Sequence, residues 1–216
     1  MKLFRDRSDA ARQLVPALAA WRGKRAVVYA IPRGAMPLAA ILAKELDAEL
    51  DVVLTHKLGA PGNPEYAIGA VAESGWSHIQ YRSPDIDDDY LRSETTAQLE
   101  RLRERRQRYG TARVSATGRV AIVVDDGLAT GATMIAALHA LREQKPSRLI
   151  CAVPVAAADS LRRVQALADE VACLHAPPDF RAVGQYYENF EQVDDAQVIA
   201  ALQASRQPRP AARPQH

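Results

Sequence analysis

Two cysteines among 216 residues, Cys151 and Cys173, give no reason to expect a disulfide framework or a cysteine-built metal centre. Both fall in apolar stretches of strand character, where a free cysteine acts as a small buried hydrophobe. No apolar run approaches the length of a membrane span. The opening residues, MKLFRDRSDAA, lack the apolar core of a signal peptide, so a cytoplasmic protein is expected. An excess of one charge is lacking too: 28 Lys and Arg face 26 Asp and Glu, and the net +2 argues neither for nor against nucleic acid. Two phosphate-binding signatures are missing. GxxxxGK[ST] would need a lysine that is absent, and Gly127 with Gly131 does not make GxGxxG. No internal repeat is visible.

What is present suits one globular domain, with 48% apolar and 25% charged residues in a chain long enough to bury roughly 70% of its unfolded surface. The chain is organised around residues 119–134, RVAIVVDDGLATGATM. Residues 120–124 are β-branched or alanine throughout, which predicts a strand buried on both faces, as in a parallel sheet. Asp125 and Asp126 stand at its carboxyl end. Residues 127–133 are small and hydroxylated, and helical spacing begins at Ala132, so free N–H groups at a helix start point back towards the carboxylates. Two acids would repel a bare phosphate. A ligand offering hydroxyls to the acids and a phosphate to the amides fits, and a ribose 5-phosphate does both; the alternative is an acidic turn joining strand to helix.

Before this stretch, Ser8 or Asp9 can cap a helix over residues 10–21 that Pro16 interrupts. Strands are expected at 25–31, 51–55 and 68–73, with 78–81 pairing to the last, and a helix follows Pro32, Arg33, Gly34 and Ala35. The run LGAPGNPEY, with two glycines and two prolines, predicts a mobile or functional loop over residues 58–66. One long polar helix is expected over 85–109. Its arginines, Arg101, Arg103, Arg105, Arg106 and Arg108, suit a solvated or subunit-facing surface, or an anion or nucleic-acid contact. Strands at 148–155 and 170–174 flank a helix over 159–168, and the alternation predicts a doubly wound, mainly parallel α/β sheet. Ligands bind such sheets at the carboxyl ends of the strands, where Arg33, Lys57, Asp125 and Asp126 all fall. Residues 206–216, proline-rich and basic, form an expected disordered tail behind a single domain over 1–205.

VVDDGLATGAT resembles the phosphoribosyl pyrophosphate (PRPP) signature of the type I phosphoribosyltransferases. HKLGAPGNPEYAIGAVAE is similar to a group of that family whose acceptor is unassigned. The resemblance implies displacement of pyrophosphate from C1 of PRPP by a nitrogenous, nucleobase-like acceptor, with Mg²⁺ held mainly by ligand oxygens and by no dedicated protein cage. It assigns the ribose hydroxyls to Asp125 and Asp126, and the 5-phosphate to Gly127, Leu128, Ala129, Thr130, Gly131, Ala132 and Thr133. IPRGAMPLA looks like the family's pyrophosphate loop, with Arg33, Gly34 and Ala35 around the leaving group and a non-proline cis peptide from Pro32 to Arg33. Taken alone, PRG is an ordinary turn and Lys57 a solvated strand-end lysine; the resemblance makes Lys57 a pyrophosphate contact and residues 58–66 a lid.

HAPPDFRAVGQYYENFEQ resembles the acceptor-binding hood of the hypoxanthine-guanine enzymes, over about residues 175–195, with Phe180 stacking on the base and Glu188 as its acidic partner. These aromatics could equally pack a C-terminal subdomain. Purine-salvage relatives carry an acid where this chain has Ala129 and a lysine where it has Ala156, so a 6-oxopurine acceptor is disfavoured. A homo-oligomer, a dimer in the first instance, is implied, with no membrane and no nucleic-acid partner. The competing reading is a non-catalytic sensor of PRPP or a nucleotide on the same fold.

Overall fold

The computed structural model describes residues 2–79, 81–82, 86–110 and 112–206, with only the backbone at Glu65. Strands β1 (Val27–Ala30), β2 (Glu49–Val52), β3 (Thr55–Ala60), β4 (Asn63–Ala72), β5 (Ser77–Ile79), β6 (Val120–Val124), β7 (Arg148–Val155) and β8 (Glu170–His175) alternate with helices. These are α1 (Arg7–Leu14), α2 (Met36–Glu45), α3 (Asp88–Tyr109), α4 (Ala132–Arg142), α5 (Ala158–Gln165) and α6 (Asp195–Arg206). Five strands form a parallel sheet in the order β2-β1-β6-β7-β8, and β3-β4-β5 form a separate antiparallel sheet. The expected α/β architecture is the one observed.

Strand periodicity divides the core. Val28, Ala30, Ile122, Val124, Ile150 and Ala152 face one side, packed with Leu38 and Leu42 of α2. Their neighbours Val27, Tyr29, Ala121, Val123, Leu149 and Cys151 face the other, with Met134, Leu138 and Leu141 of α4. Because β6 is central and covered on both faces, it had to read as an unbroken apolar run. Both cysteines are free; Cys151 is buried and Cys173 partly so. No helix among the described residues is long and apolar enough to cross a membrane.

Three expectations need correction. The first helix starts earlier, because the Asp6 carboxylate accepts the Asp9 N–H at 2.7 Å, and Pro16 hands it over to a 3₁₀ turn, Pro16–Trp21. Residues 58–66 are not an open loop but the core of the β3–β4 hairpin, turning at Pro61 and Gly62. Gly62 has φ +70, and a Cβ on Gly59 would meet the Pro64 backbone at 2.7 Å, so these glycines serve a turn and a close strand approach. Third, beyond the expected hood, where no element was expected, stands α6, which packs against α2, α3 and β2. The expected helix start at Asp85 and the tail 207–216 lie outside the described residues.

Nor is the arginine cluster of α3 a uniform surface. Arg106 turns inward, its Nη1 donating to Asp51 Oδ1 at 2.8 Å, its Nε to Glu73 Oε2 at 3.0 Å and its Nη2 to the Val52 carbonyl at 2.7 Å. Asp51 also accepts the N–H groups of Val52 and Val114, both at 2.8 Å. One guanidinium thereby ties the edge of the main sheet to the small sheet and to α3.

Trp76 stacks on His139 of α4 at 4.6 Å and 10°, and on His78 at 6.0 Å and 20°. Burial holds the His139 pKa below the usual imidazole value, the nearby His78 adds to this, and Glu143 opposes it. A histidine with a lowered folded pKa binds fewer protons folded than unfolded. Stability should therefore fall as pH drops from about 6.5 towards the folded pKa. His139→Gln should flatten that part of the pH–Tm curve, and a wild-type curve already flat between pH 7 and 5 would contradict the assignment.

Candidate functional site

Two loops meet at the carboxyl ends of adjacent strands. β1 runs on through Ile31, whose N–H donates to the Val124 carbonyl at 3.0 Å, into Pro32 and Arg33, and the peptide between these two is cis. Ala35 then leads into α2. β6 runs into Asp125 and Asp126, and the two loops touch because residue 34 is glycine: a Cβ there would overlap Asp126 Oδ2.

Beyond the acids the chain stays anchored to the sheet. Leu128 pairs with Ala156, donating its N–H to Val155 and accepting that of Ala157, both at 2.9 Å, and its side chain is buried. α5 braces the next residues, with Ser160 Oγ donating to the Ala129 carbonyl at 2.6 Å and Arg163 Nη1 to that of Thr130 at 3.3 Å. Gly131, at φ +75, begins α4, and Ile135 is the first N–H to bond back along the helix, to the Gly131 carbonyl. Among the described residues the N–H groups of Thr133 and Met134 find no backbone acceptor, while that of Ala132 leans on Thr130 Oγ1 at 3.5 Å. The result is a nest of N–H groups without backbone acceptors, the kind of geometry that suits an anion, with two acids on its rim. Ser160→Ala should cost about 0.5–1.5 kcal/mol, read as a small fall in Tm together with weaker binding of inorganic phosphate.

The acids share one counter-charge. Asp125 accepts the Asp126 N–H at 2.8 Å, and no ion pair reaches it among the described residues. Burial holds its carboxyl well above the usual range, and the adjacent Asp126 charge pushes the same way. Asp126 is raised by burial as well, against the pull of Arg7. Arg7 gives Asp126 Oδ2 both its Nε, at 2.9 Å, and its Nη2, at 2.8 Å. Its guanidinium lies 3.8 Å over the Phe190 ring, and Tyr187 Oη donates to the Asp126 carbonyl at 2.7 Å.

Sequence reasoning missed Arg7, Tyr187, Ser160 and Arg163. A signal for Arg7 existed, since two adjacent buried acids demand a cation, but Arg7 comes from the first helix and not from a strand end. Other expected residues are dispersed. Arg33 is half exposed and directed to Asp195, 3.8 Å away, which also faces Arg108 at 3.7 Å. Lys57 is exposed on β3, paired with Ala70. Phe180 packs on Tyr186 at 5.5 Å, and Glu188 is exposed, its N–H held by the Phe4 carbonyl. The hood does reach the nest, because a Cβ on Gly127 would strike Val183 at 2.7 Å. Among the described residues no group of three or more His, Cys, Asp or Glu is placed to hold a metal ion.

The family model for the phosphoribosyl transferase domain matches residues 4–191, and so covers both loops, the acids and the hood. The chain belongs to the phosphoribosyl transferase domain family. Two Mycobacterium tuberculosis proteins, from strains CDC 1551 and H37Rv, each named "Putative phosphoribosyl transferase", are 44% identical over 207 residues, 94% of this chain and 47% of theirs. The chain thus spans about half the length of the curated relatives it matches. The crystal structure of TT1426 from Thermus thermophilus is 42% identical with a TM-score of 0.79, covering 94% of this chain and 98% of that one. Family and fold agree with the resemblance carried by VVDDGLATGAT.

Proposed function

We propose that this chain transfers the 5-phosphoribosyl group of PRPP to a nitrogenous, nucleobase-like acceptor and releases pyrophosphate. The meeting of the Gly34 loop with the acids and nest of the next strand carries this reading, because a phosphate, a diol and a leaving pyrophosphate each find a partner there. Residues 127–133 hold the 5-phosphate through N–H groups at the start of α4, with Thr130 and Thr133 adding hydroxyls. Asp125 and Asp126 accept from the ribose hydroxyls. The C1–oxygen bond to pyrophosphate breaks with its electron pair going to the leaving group, and the acceptor nitrogen supplies the pair for the new C1–N bond. Arg33 and the Gly34 and Ala35 loop receive the leaving oxygens, and Lys57 does so if the hairpin carrying it closes in.

Mg²⁺ bound with PRPP supplies further charge to those oxygens. The substrate would supply most of the oxygens around it, and Asp125, which no ion pair reaches among the described residues, is the side chain that would help hold it. Phe180 and Glu188 face the acceptor. Ala129 and Ala156 leave no side-chain base or lysine there, so the acceptor nitrogen loses its proton to solvent. The family likeness supports a cytoplasmic homo-oligomer, most simply a dimer.

The sensor reading has two observations in its favour: Arg33 is drawn to Asp195, and Lys57 stands exposed on an outer strand. Pyrophosphate release from PRPP and Mg²⁺ across a panel of bases and amines separates the two. Turnover with any acceptor establishes the transferase; tight PRPP binding without turnover across the whole panel establishes the sensor.

A further inference from the structure

The acid pair is served by a residue 119 positions away along the chain. Arg7 is the first residue of α1; its Nε donates to Asp126 Oδ2, its Nη2 makes an ion-pair contact with the same oxygen at 2.8 Å, and its Nη1 donates to the Glu191 carbonyl at 2.7 Å. Because both Arg7 contacts fall on one oxygen, Oδ1 takes no N–H of Arg7. Stacking on Phe190 fixes the guanidinium plane, and its side chain is only 11% exposed.

The segment leading into Arg7 is sewn to the hood. Leu3 and Phe4 donate to the Tyr186 carbonyl at 2.8 and 3.0 Å, Glu188 donates to Phe4 at 2.9 Å, and Asn189 to Arg5 at 2.8 Å. Residues 2–7 and 186–191 therefore behave as one piece, joined to the acid pair at two points on a single residue. Tyr187 takes the Asp126 carbonyl and Arg7 takes its carboxylate.

We propose that Arg7 is a positioning residue that fixes Asp126 with Oδ1 open to the ribose hydroxyls and latches the acceptor hood to that same carboxylate. The ribose half of this rests on the transferase reading; the latch does not. By linkage, a residue holding both the ribose acid and the hood makes binding at either one sensitive to the other.

The test compares wild type with Arg7→Met, which keeps the stem and removes the donors, and Arg7→Lys, which keeps charge without the planar fork. Calorimetry is run with PRPP and Mg²⁺, with ribose 5-phosphate, and with inorganic pyrophosphate, alongside amide hydrogen exchange of the hood. Arg7→Met should weaken PRPP and ribose 5-phosphate by about tenfold or more and leave pyrophosphate affinity within about twofold. Exchange at Glu188 and Asn189 should accelerate while β6 stays protected. Arg7→Lys should recover part of the PRPP affinity and little of the hood protection. Equal weakening of all three ligands with loss of β6 protection would reduce Arg7 to a general stabiliser and overturn the proposal. Unchanged exchange at Glu188 and Asn189 in Arg7→Met overturns the latch whether or not a ligand binds. Wild-type protein that takes up neither PRPP nor ribose 5-phosphate overturns the ribose half, and the exchange result then decides the latch by itself.

Discussion

Arg106→Ala is expected to lose about 3 kcal/mol of folding stability, the low end of the cost of breaking a buried ion pair. Asp51 is 1% exposed and the Glu73 side chain 8%, so both carboxylates depend chiefly on the guanidinium for their counter-charge. Glu73 would keep Arg113 at 3.1 Å, and Asp51 would keep its two backbone N–H donors but no cation. The cost stays at the low end because a cleft of about 380 Å³, lined among others by Tyr29, Asp51, Glu73 and Arg106, already reaches the site and lets water into the space left behind. In a chain of this length such a loss lowers Tm by roughly 6–12 °C. Arg103, exposed on the same helix with no ion pair among the described residues, is the control and should change stability by less than about 0.5 kcal/mol as alanine. A thermal or urea transition for Arg106→Ala no lower than that of Arg103→Ala would falsify the structural role of this cluster.

Legibility from sequence followed locality. β6, the start of α4 and β7 were readable to the residue, since a strand buried on both faces and the helix after it are written in consecutive positions. The cis bond at Pro32 and the nest at Gly131 were accessible through family likeness, because both sit inside short motifs. The β3–β4 hairpin was misread because Pro61, Gly62 and Pro64 mimic a loop; strand pairing across the bulges at Gly59 decides otherwise, and that is a non-local fact. The arginines of α3 illustrate the same limit. Helical spacing gives no means to separate Arg106, turned onto Asp51, from Arg103 in solvent, because their distinction lies in a strand more than fifty residues away. Arg7 lies further still from Asp126 along the chain, and only the folded molecule brings them within hydrogen-bond reach.

The two acids should respond to the same substitution to different extents. Asp125 has a folded pKa raised chiefly by burial and further by the Asp126 charge, so its ionised form is disfavoured in the fold. A carboxyl with a raised folded pKa binds more protons folded than unfolded. Stability falls as pH rises from about 3.9 through the folded value, and the penalty is complete above it. Asp125→Asn removes that charge and should raise Tm at neutral pH, the gain shrinking as acidification protonates the wild-type group. In the same variant PRPP binding should weaken by about 1.5–3 kcal/mol, the contribution of a charged hydrogen bond to a ribose hydroxyl. Asp126→Asn should weaken PRPP comparably but raise Tm less, because burial raises its folded pKa too while the Arg7 guanidinium, which loses the charge it is paired with, opposes the gain. Calorimetry with PRPP and melting curves from pH 4 to 8 check both. A protein made more stable and less able to bind by one substitution carries its acid for function. Should Asp125→Asn lose stability and leave PRPP affinity intact, the acid serves the fold, and the ribose assignment at this position is wrong.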